Sequence, residues 1–340
     1  MYSTPPPFSH HAIPLTPPRH RRPRRRNNPP TSQTLPHPHL LHRPRLFRRG
    51  LIAEVSKTTP KPTTNLTYIP CDQSSLSSVA SAAKTFLEKS QNRLDLLICN
   101  AGIMIVPLAV SKDGYEIQFA VNHMAHALLI RLCLPALRAA GGKGRIVSLT
   151  SMGFNLAKGI KFETLRSNQA DVGMFFCPSL VPSSLTSFKH ASQLLNNPTS
   201  LLFSLGNFVS APYILYNQSK LANILYASEL ARRYPEITST AIHPGVILDT
   251  KLASHMNWFG FLMIKIGTRN LLHLETPEGA YNTLWSATAP LGDDGKDRKL
   301  VSGGLYGPVG QVIPHTKASE DGKLAGELWE WTEKAIEEFL

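Results

Sequence analysis

Acidic residues are absent from the first fifty positions of this 340-residue chain, which hold ten arginines and no aspartate or glutamate. The formal charge of the whole chain is +13, so the residues after position 50 carry only +3. A basic surface that could bind nucleic acid is therefore confined to the head of the chain. Because no Phe, Tyr or Trp lies between Arg19 and Arg45, base stacking is disfavoured and no nucleic-acid partner is expected.

Cysteine is scarce and long apolar runs are missing. The four cysteines form no CxxC pair, which indicates a reducing compartment and predicts a cytoplasmic protein. No uninterrupted run of 18 apolar residues occurs, so no transmembrane segment is expected. The arginine-rich, acid-free head would suit a transit peptide, but its twelve prolines disfavour an amphipathic helix. We interpret residues 1–50 as disordered, with mitochondrial targeting or membrane-surface association as open alternatives.

From about residue 51 the pattern changes to strands alternating with helices. Short apolar runs that end in turn residues predict buried strands, and longer periodic segments predict helices. Such alternation predicts an α/β fold with a parallel sheet, helices on both faces and ligands at the carboxyl ends of the strands. The predicted strands are 66–70, 94–102, 144–151 and 237–245, and the predicted helices are 74–90, 113–140 and 211–234.

The segment YNQSK, residues 216–220, carries the most specific chemistry. Tyr216 and Lys220 are four residues apart on a predicted helix and therefore share one face. A phenol ordinarily has a pKa near ~10, and a neighbouring ammonium group is expected to lower it. A phenol tuned in this way can donate a proton to a carbonyl or accept one from an alcohol. A surface Tyr–Lys pair without function is the alternative.

Several ordered motifs accompany this pair. CDQSS, NAG, NHMAHALLIRLCLP, RIVSLTS, YNQSKLAN and HPGV resemble, in this order, motifs of the short-chain dehydrogenase/reductase family. The resemblance runs from about residue 51 to the end and is closest to the retinol-dehydrogenase and WW-domain-oxidoreductase-like branch, particularly its fungal members. It implies a Rossmann-like doubly wound parallel sheet. It also implies an oxidoreductase that interconverts an alcohol and a ketone or aldehyde by hydride transfer with a nicotinamide cofactor.

The resemblance assigns four catalytic roles. Tyr216 would be the acid–base residue, and Lys220 would lower its pKa and hold the nicotinamide ribose. Ser151 would stabilise charge on the substrate oxygen. Asn122 would anchor a water molecule that links Lys220 to solvent. The alternatives are a strand-end cap at Ser151 and a helix cap at Asn122.

The resemblance also assigns cofactor contacts. Asp72 would meet the adenine amino group, the NAG turn would lie beside the cofactor, and the PGV loop would reach the nicotinamide. Thr250 lies one residue late for the threonine that binds the carboxamide. The branch favours NADP(H) over NAD(H), and no metal is expected. The implied cofactor-binding residues are Asp72, Asn100, Ala101, Gly102, Tyr216, Lys220, Pro244, Gly245 and Val246.

Two departures set this chain apart from the family pattern. No glycine-rich phosphate turn precedes Asp72, where Gly50 is the only glycine, so the first β-α-β unit is degenerate. Ser151 and Tyr216 are separated by an insertion at about 172–211. Both departures are compatible with a sequence translated from the wrong start or through a retained intron. They leave open an alternative function, that of a non-catalytic protein of this fold that cannot bind dinucleotide.

The expected organisation is therefore a disordered head, 1–50, and one Rossmann-like domain, 51–340. The apolar segment 256–266 lies where the family has its substrate lid, which favours a small, apolar alcohol or carbonyl substrate. A core-facing helix is the equal alternative for this segment. Association into an oligomer is compatible with the sequence.

Overall fold

The structure is a computed structural model that describes residues 66–173, 211–247, 274–292 and 299–340. The predicted head, most of the insertion, the apolar segment 256–266 and Thr250 lie outside the described residues. All elements below belong to the described ranges.

Five strands form one sheet in the order β1-β2-β3-β4-β5. The first four are parallel, and β5 runs antiparallel to β4. Parallel pairing predicts buried strands, and β3 is buried at every position. The strands are β1 (Leu96–Cys99), β2 (Arg145–Leu149), β3 (Thr238–Ile242), β4 (Leu305–Gly307) and β5 (Gln311–Val312).

Helices connect the strands largely as the sequence predicts. Ser75 caps the first helix through its side chain, which accepts a hydrogen bond from the N–H of Ser78. The α-helices are α1 (Leu76–Ser90), α2 (Ile117–Phe119), α3 (Ala125–Arg138), α4 (Ala211–Arg233), α5 (Thr276–Thr288) and α6 (Gly322–Ile336). The 3-10 turns are Met152–Leu156, Phe162–Thr164, Ala170–Gly173 and Glu337–Phe339.

Adjacent strand residues face opposite sides of the sheet and belong to two separate cores. Ile146 and Ala241 pack in a large cluster with residues of α1, α3, α4 and α6. Val147 and Ile242 pack in a smaller cluster with Ala289 and Trp285, at the end of α5. Because side chains alternate along a strand, this division confirms helices on both faces and an α/β fold of the Rossmann-like type.

The predicted helix 113–140 is interrupted near its start. It begins at Ile117, and a π-helical turn spans Ala120–Met124 before α3. Apolar periodicity runs through this turn without a break, so the sequence does not signal it. Such turns recur at functional sites.

The combined segment Ile117–Arg138 is long and apolar enough, by length and composition, to cross a membrane. Its most apolar window has a mean hydropathy of 1.3, and 78% of that window is buried inside the protein. Burial against the sheet accounts for its apolar character here.

The strand predicted at 66–70 is wrong. These residues form no regular element, and no strand pairs with them among the described residues. Local apolar alternation is insufficient for a strand because a strand also needs a hydrogen-bonded neighbour.

Glu116, which precedes α2, offers a test of how this packing responds to pH. Its buried carboxylate accepts hydrogen bonds from the N–H groups of Gln118 and Phe119. Burial raises its pKa to about 7, from an ordinary 4.5, although these hydrogen bonds oppose the shift. The folded chain therefore holds this proton more tightly than the unfolded chain, and the associated stability is lost as pH rises through about 7.

We expect Glu116→Gln to raise the melting temperature relative to wild type more at about pH 8 than at about pH 5.5. Buried His123, His126 and His243 have lowered pKa values, so their contribution to stability increases with pH. This contribution is the same in both proteins, and the difference in melting temperature between the variant and wild type therefore isolates Glu116. Differential scanning calorimetry at both pH values measures it, with the exposed Glu163→Gln as control. An advantage of Glu116→Gln that shrinks as pH rises would contradict this prediction.

Candidate active site

Helix α4 presents the candidate catalytic pair from an almost wholly buried surface. Its residues from Leu215 to Ala227 are buried without exception, because the helix packs on the sheet and beneath α6. Tyr216 and Lys220 lie one turn apart within this stretch, at 4% and 5% exposure. Polar side chains buried on a core helix need specific partners, and those partners define the site.

Tyr216 is held as a neutral phenol. Burial raises its pKa to about 12, while a hydrogen bond with the Ser151 side chain acts to lower it. In this arrangement burial outweighs any lowering of this pKa by Lys220, so the net shift is opposite to the predicted one. The Nζ of Lys220 lies 5.7 Å from the centre of the phenol ring and donates to the carbonyl of Leu149.

The charged form of Lys220 is disfavoured by its burial. Burial lowers its pKa to about 8, because the apolar surroundings disfavour its charged form. The Leu149 carbonyl, 3.1 Å away, is the one hydrogen-bond acceptor for Nζ among the described residues. An ammonium group has three N–H donors, so Lys220 can bind further acceptors.

Ser151 follows β2 and meets Tyr216 across a separation of 65 residues in sequence. It caps the 3-10 turn Met152–Leu156, and its Oγ accepts a hydrogen bond of 3.2 Å from the N–H of Gly153. The capping role and the contact with the phenol are therefore both present. The strand end places this hydroxyl at the carboxyl edge of the sheet.

Asn122 lies in the π-helical turn and is fully buried. Its Oδ1 accepts from the N–H of Ile103 at 2.8 Å, and its Nδ2 donates to the carbonyl of Ile103 and to Ser219 Oγ. The Ser219 hydroxyl in turn donates to the carbonyl of Tyr216. Asn122 therefore ties the turn after β1 to helix α4 and is no helix cap. Its link to a water molecule stays a prediction.

The NAG turn lies directly beside this network. Asn100 and Ala101 are exposed, whereas Gly102 is half-buried. A Cβ at Gly102 would lie 3.0 Å from Asn122 Oδ1 and 3.6 Å from Lys220 Nζ. The absence of a side chain here keeps the space in front of the lysine open.

The loop after β3 approaches the same edge. Pro244, Gly245 and Val246 are half-buried, and the Val246 carbonyl accepts from the N–H of Leu274. Gly245 has a φ of 103°, in the left-handed region that favours glycine. Parallel strands end at one edge, so this loop, the NAG turn and Ser151 belong to the same side of the sheet.

Asp72 lies before α1, and its carboxylate accepts hydrogen bonds from nearby residues of the chain. It accepts from the N–H and Oγ of Ser74 and from Lys112 Nζ at 2.8 Å. Burial acts to raise its pKa, but these hydrogen bonds outweigh it and lower the pKa. No hydrogen bond joins Asp72 to Ser151, Tyr216 or Lys220 within the described ranges, so its adenine role stays a prediction.

Asn223 is a further polar residue of this site that the sequence pattern does not indicate. Its Nδ2 donates to the Leu149 carbonyl at 2.9 Å, beside the Lys220 donor, and Thr150 Oγ1 donates to the main-chain carbonyl of Lys220 at 2.8 Å. The signal available was its position, three residues after Lys220 on the helix. Its hydrogen-bond acceptor is a main-chain oxygen, which no residue pattern reveals.

In the described part of the chain, no cluster of His, Cys, Asp or Glu could hold a metal ion.

Comparisons with known proteins identify the family of this chain. The family described as short chain dehydrogenase matches residues 48–159. The short-chain dehydrogenase/reductase drtF of Aspergillus calidoustus is 29% identical, over 81% of this chain and 78% of its own length. The chloroplastic short-chain dehydrogenase TIC 32 A of Brassica napus is 30% identical, over 81% and 74%. Retinol dehydrogenase 14 of Mus musculus is 31% identical, over 78% and 65%.

Gly153 provides a test of the packing that holds Ser151. A Cβ at this position would lie 2.1 Å from Oδ1 of the buried Asn217. We expect Gly153→Ala to destabilise the fold by about 1–3 kcal/mol through overpacking, and we expect Asn217→Ala to relieve most of this loss. Urea unfolding of both single variants and the double variant measures the coupling.

Gly326→Ala, where a Cβ meets nothing within 4 Å, is the control and is expected to leave stability unchanged or to raise it. If Gly153→Ala were as stable as wild type, or if Asn217→Ala gave no relief, the close contact would not exist in solution.

Proposed function

We propose that this chain, which belongs to the short-chain dehydrogenase/reductase family, interconverts an alcohol and a ketone or aldehyde with Tyr216 as its acid–base residue. Family membership makes it an NAD(P)-dependent oxidoreductase. The observation that supports this particular site is that the Ser151 side chain acts on the Tyr216 phenol, with the Lys220 ammonium 5.7 Å from the phenol ring, at the carboxyl edge of the sheet.

Tyr216 is suited to donating a proton. Because burial raises its pKa to about 12, the phenol is protonated at neutral pH. A protonated phenol can transfer its proton to a carbonyl oxygen as that oxygen gains negative charge. The resting phenol is therefore in the protonation state that reduction of a carbonyl requires at neutral pH.

Ser151 and Lys220 support this step in different ways. The Ser151 hydroxyl would hold the substrate oxygen by a hydrogen bond within reach of the phenol. Lys220 places a cation near the ring, which would favour the phenolate left after proton transfer. Asn122 would complete the route for the replacement proton through a water molecule at Lys220.

The residues around Lys220 suit a nicotinamide cofactor. The buried ammonium has a single acceptor among the described residues, and the missing side chain of Gly102 leaves room in front of it. The ribose hydroxyls would supply the further acceptors that Lys220 lacks. Bound there, the nicotinamide would supply or accept the hydride. Asn100, Ala101, Pro244, Gly245 and Val246 would border it, and Asp72 would lie at the adenine end.

We propose NADP(H) ahead of NAD(H), as the resemblance to the retinol-dehydrogenase branch implies. For the substrate we propose a small, apolar alcohol or carbonyl compound. The similarity to retinol dehydrogenase 14 supports this class, since retinol is an apolar alcohol. We also propose that residues 51–340 form one catalytic domain and that the protein is cytoplasmic.

Coenzyme binding tests this function against its alternative, a non-catalytic protein of the same fold. We expect NADPH to bind the purified full chain with micromolar affinity and NADH to bind more weakly. Titration with detection of nicotinamide fluorescence measures both. Binding in the millimolar range, or none, would contradict the enzymatic function for this chain.

Turnover then tests the role of Tyr216. Tyr216→Phe should abolish reduction of an apolar aldehyde such as retinal, while NADPH affinity stays close to wild type, because only the transferable proton is removed. Tyr226→Phe is the matched control, because Tyr226 lies on the same helix and its buried hydroxyl has no hydrogen-bond partner among the described residues. Wild-type turnover in Tyr216→Phe would exclude this residue as the proton donor.

A further inference from the structure

The main-chain carbonyl of Leu149 receives two side-chain donors from helix α4. Lys220 Nζ lies 3.1 Å from this oxygen and Asn223 Nδ2 lies 2.9 Å from it. Both donor side chains are buried, at 5% and 4% exposure. Leu149 ends β2, two residues before Ser151, so this oxygen lies where the strand enters the candidate site.

A buried carbonyl that loses its hydrogen bond destabilises the protein, because water cannot replace the missing donor. With two donors present, the Leu149 carbonyl stays satisfied when either one withdraws. The Lys220 ammonium can therefore leave this oxygen without exposing an unpaired buried acceptor. If Lys220 were the sole donor, its departure would leave the Leu149 carbonyl without a hydrogen bond.

Asn223 has a second neighbour besides Leu149. Its side chain lies close enough to His123, in the π-helical turn, to act on the pKa of that imidazole. His123 Nε2 lies 3.1 Å from Thr332 Oγ1 on helix α6. Asn223 therefore packs between this histidine and the end of β2, with its amide N–H directed to the Leu149 carbonyl.

We propose that Asn223 is a positioning residue for Lys220, which satisfies the Leu149 carbonyl so that all three N–H bonds of the lysine can turn to Tyr216 and the nicotinamide ribose. The groups to which Lys220 turns rest on the proposed function. The sharing of the carbonyl does not, because it is present in the chain without cofactor.

A double-mutant cycle without coenzyme tests the sharing. Lys220→Met and Asn223→Leu each remove one donor at similar volume, and the melting temperature is measured for wild type, both single variants and the double variant. Each single variant keeps one donor, so the double variant should lose at least about 2 °C more than the sum of the single losses. Additive losses would overturn the proposal. If Asn223→Leu does not fold, Asn223→Ala takes its place in the same cycle.

Coenzyme affinity tests the consequence for Lys220. Asn223→Leu should weaken NADPH binding about tenfold or more, because Lys220 must then leave an otherwise unpaired carbonyl. Thr150→Val is the matched control, since it removes the hydrogen bond from Thr150 to the Lys220 carbonyl, between the same strand and helix, but leaves Leu149 untouched. Equal weakening in both variants would overturn the proposal in favour of a general structural effect.

The two arms separate the inference from the proposed function. If wild type binds no coenzyme while the cycle is non-additive, the proposed function fails and the shared carbonyl stands. If the cycle is additive, the role of Asn223 fails whatever the coenzyme affinity.

Discussion

The junction between the end of β2 and the middle of α4 is the constraint on which the site depends. Three hydrogen bonds make it, two from side chains of α4 to the Leu149 carbonyl and one from Thr150 to the Lys220 carbonyl. Ser151 directly follows Thr150, and Tyr216 lies one helical turn before Lys220. The junction therefore holds the hydroxyl groups of Ser151 and Tyr216 near each other. Helix α4 is itself held between the sheet and helix α6.

Burial at this junction shifts the pKa values of Tyr216 and Lys220 in the directions opposite to those that an ion pair between them would produce. It raises the pKa of Tyr216 and lowers the pKa of Lys220, so both groups are pushed toward their neutral forms. A phenol that keeps its proton and a lysine that gives one up readily suit delivery of a proton to a carbonyl. An ion pair between phenolate and ammonium in the resting protein would suit removal of a proton from an alcohol.

Much of this arrangement follows from sequence, within limits that have physical reasons. The strands at 144–151 and 237–245 and the helix at 211–234 were predictable because parallel strands and core helices leave distinct apolar patterns. The π-helical turn was not predictable, because all five of its residues are buried and its altered main-chain hydrogen bonding leaves no mark on the apolar pattern. The strand predicted at 66–70 is not formed, because a strand requires a neighbouring strand with which to form hydrogen bonds. The role of Asn223 was not predictable, because its acceptor is a main-chain oxygen.

We predict that hydride transfer is coupled to proton transfer from Tyr216, and a deuterium-transfer experiment tests this most directly. NADPH labelled with deuterium at C4 of the nicotinamide is incubated with the full chain and retinal, and the alcohol product is analysed by mass spectrometry. We expect deuterium on the carbinol carbon with the wild-type protein and unreacted, unlabelled retinal with Tyr216→Phe. Absence of labelled alcohol with a folded, coenzyme-bound wild type, for retinal and for a panel of apolar aldehydes and ketones, would contradict it.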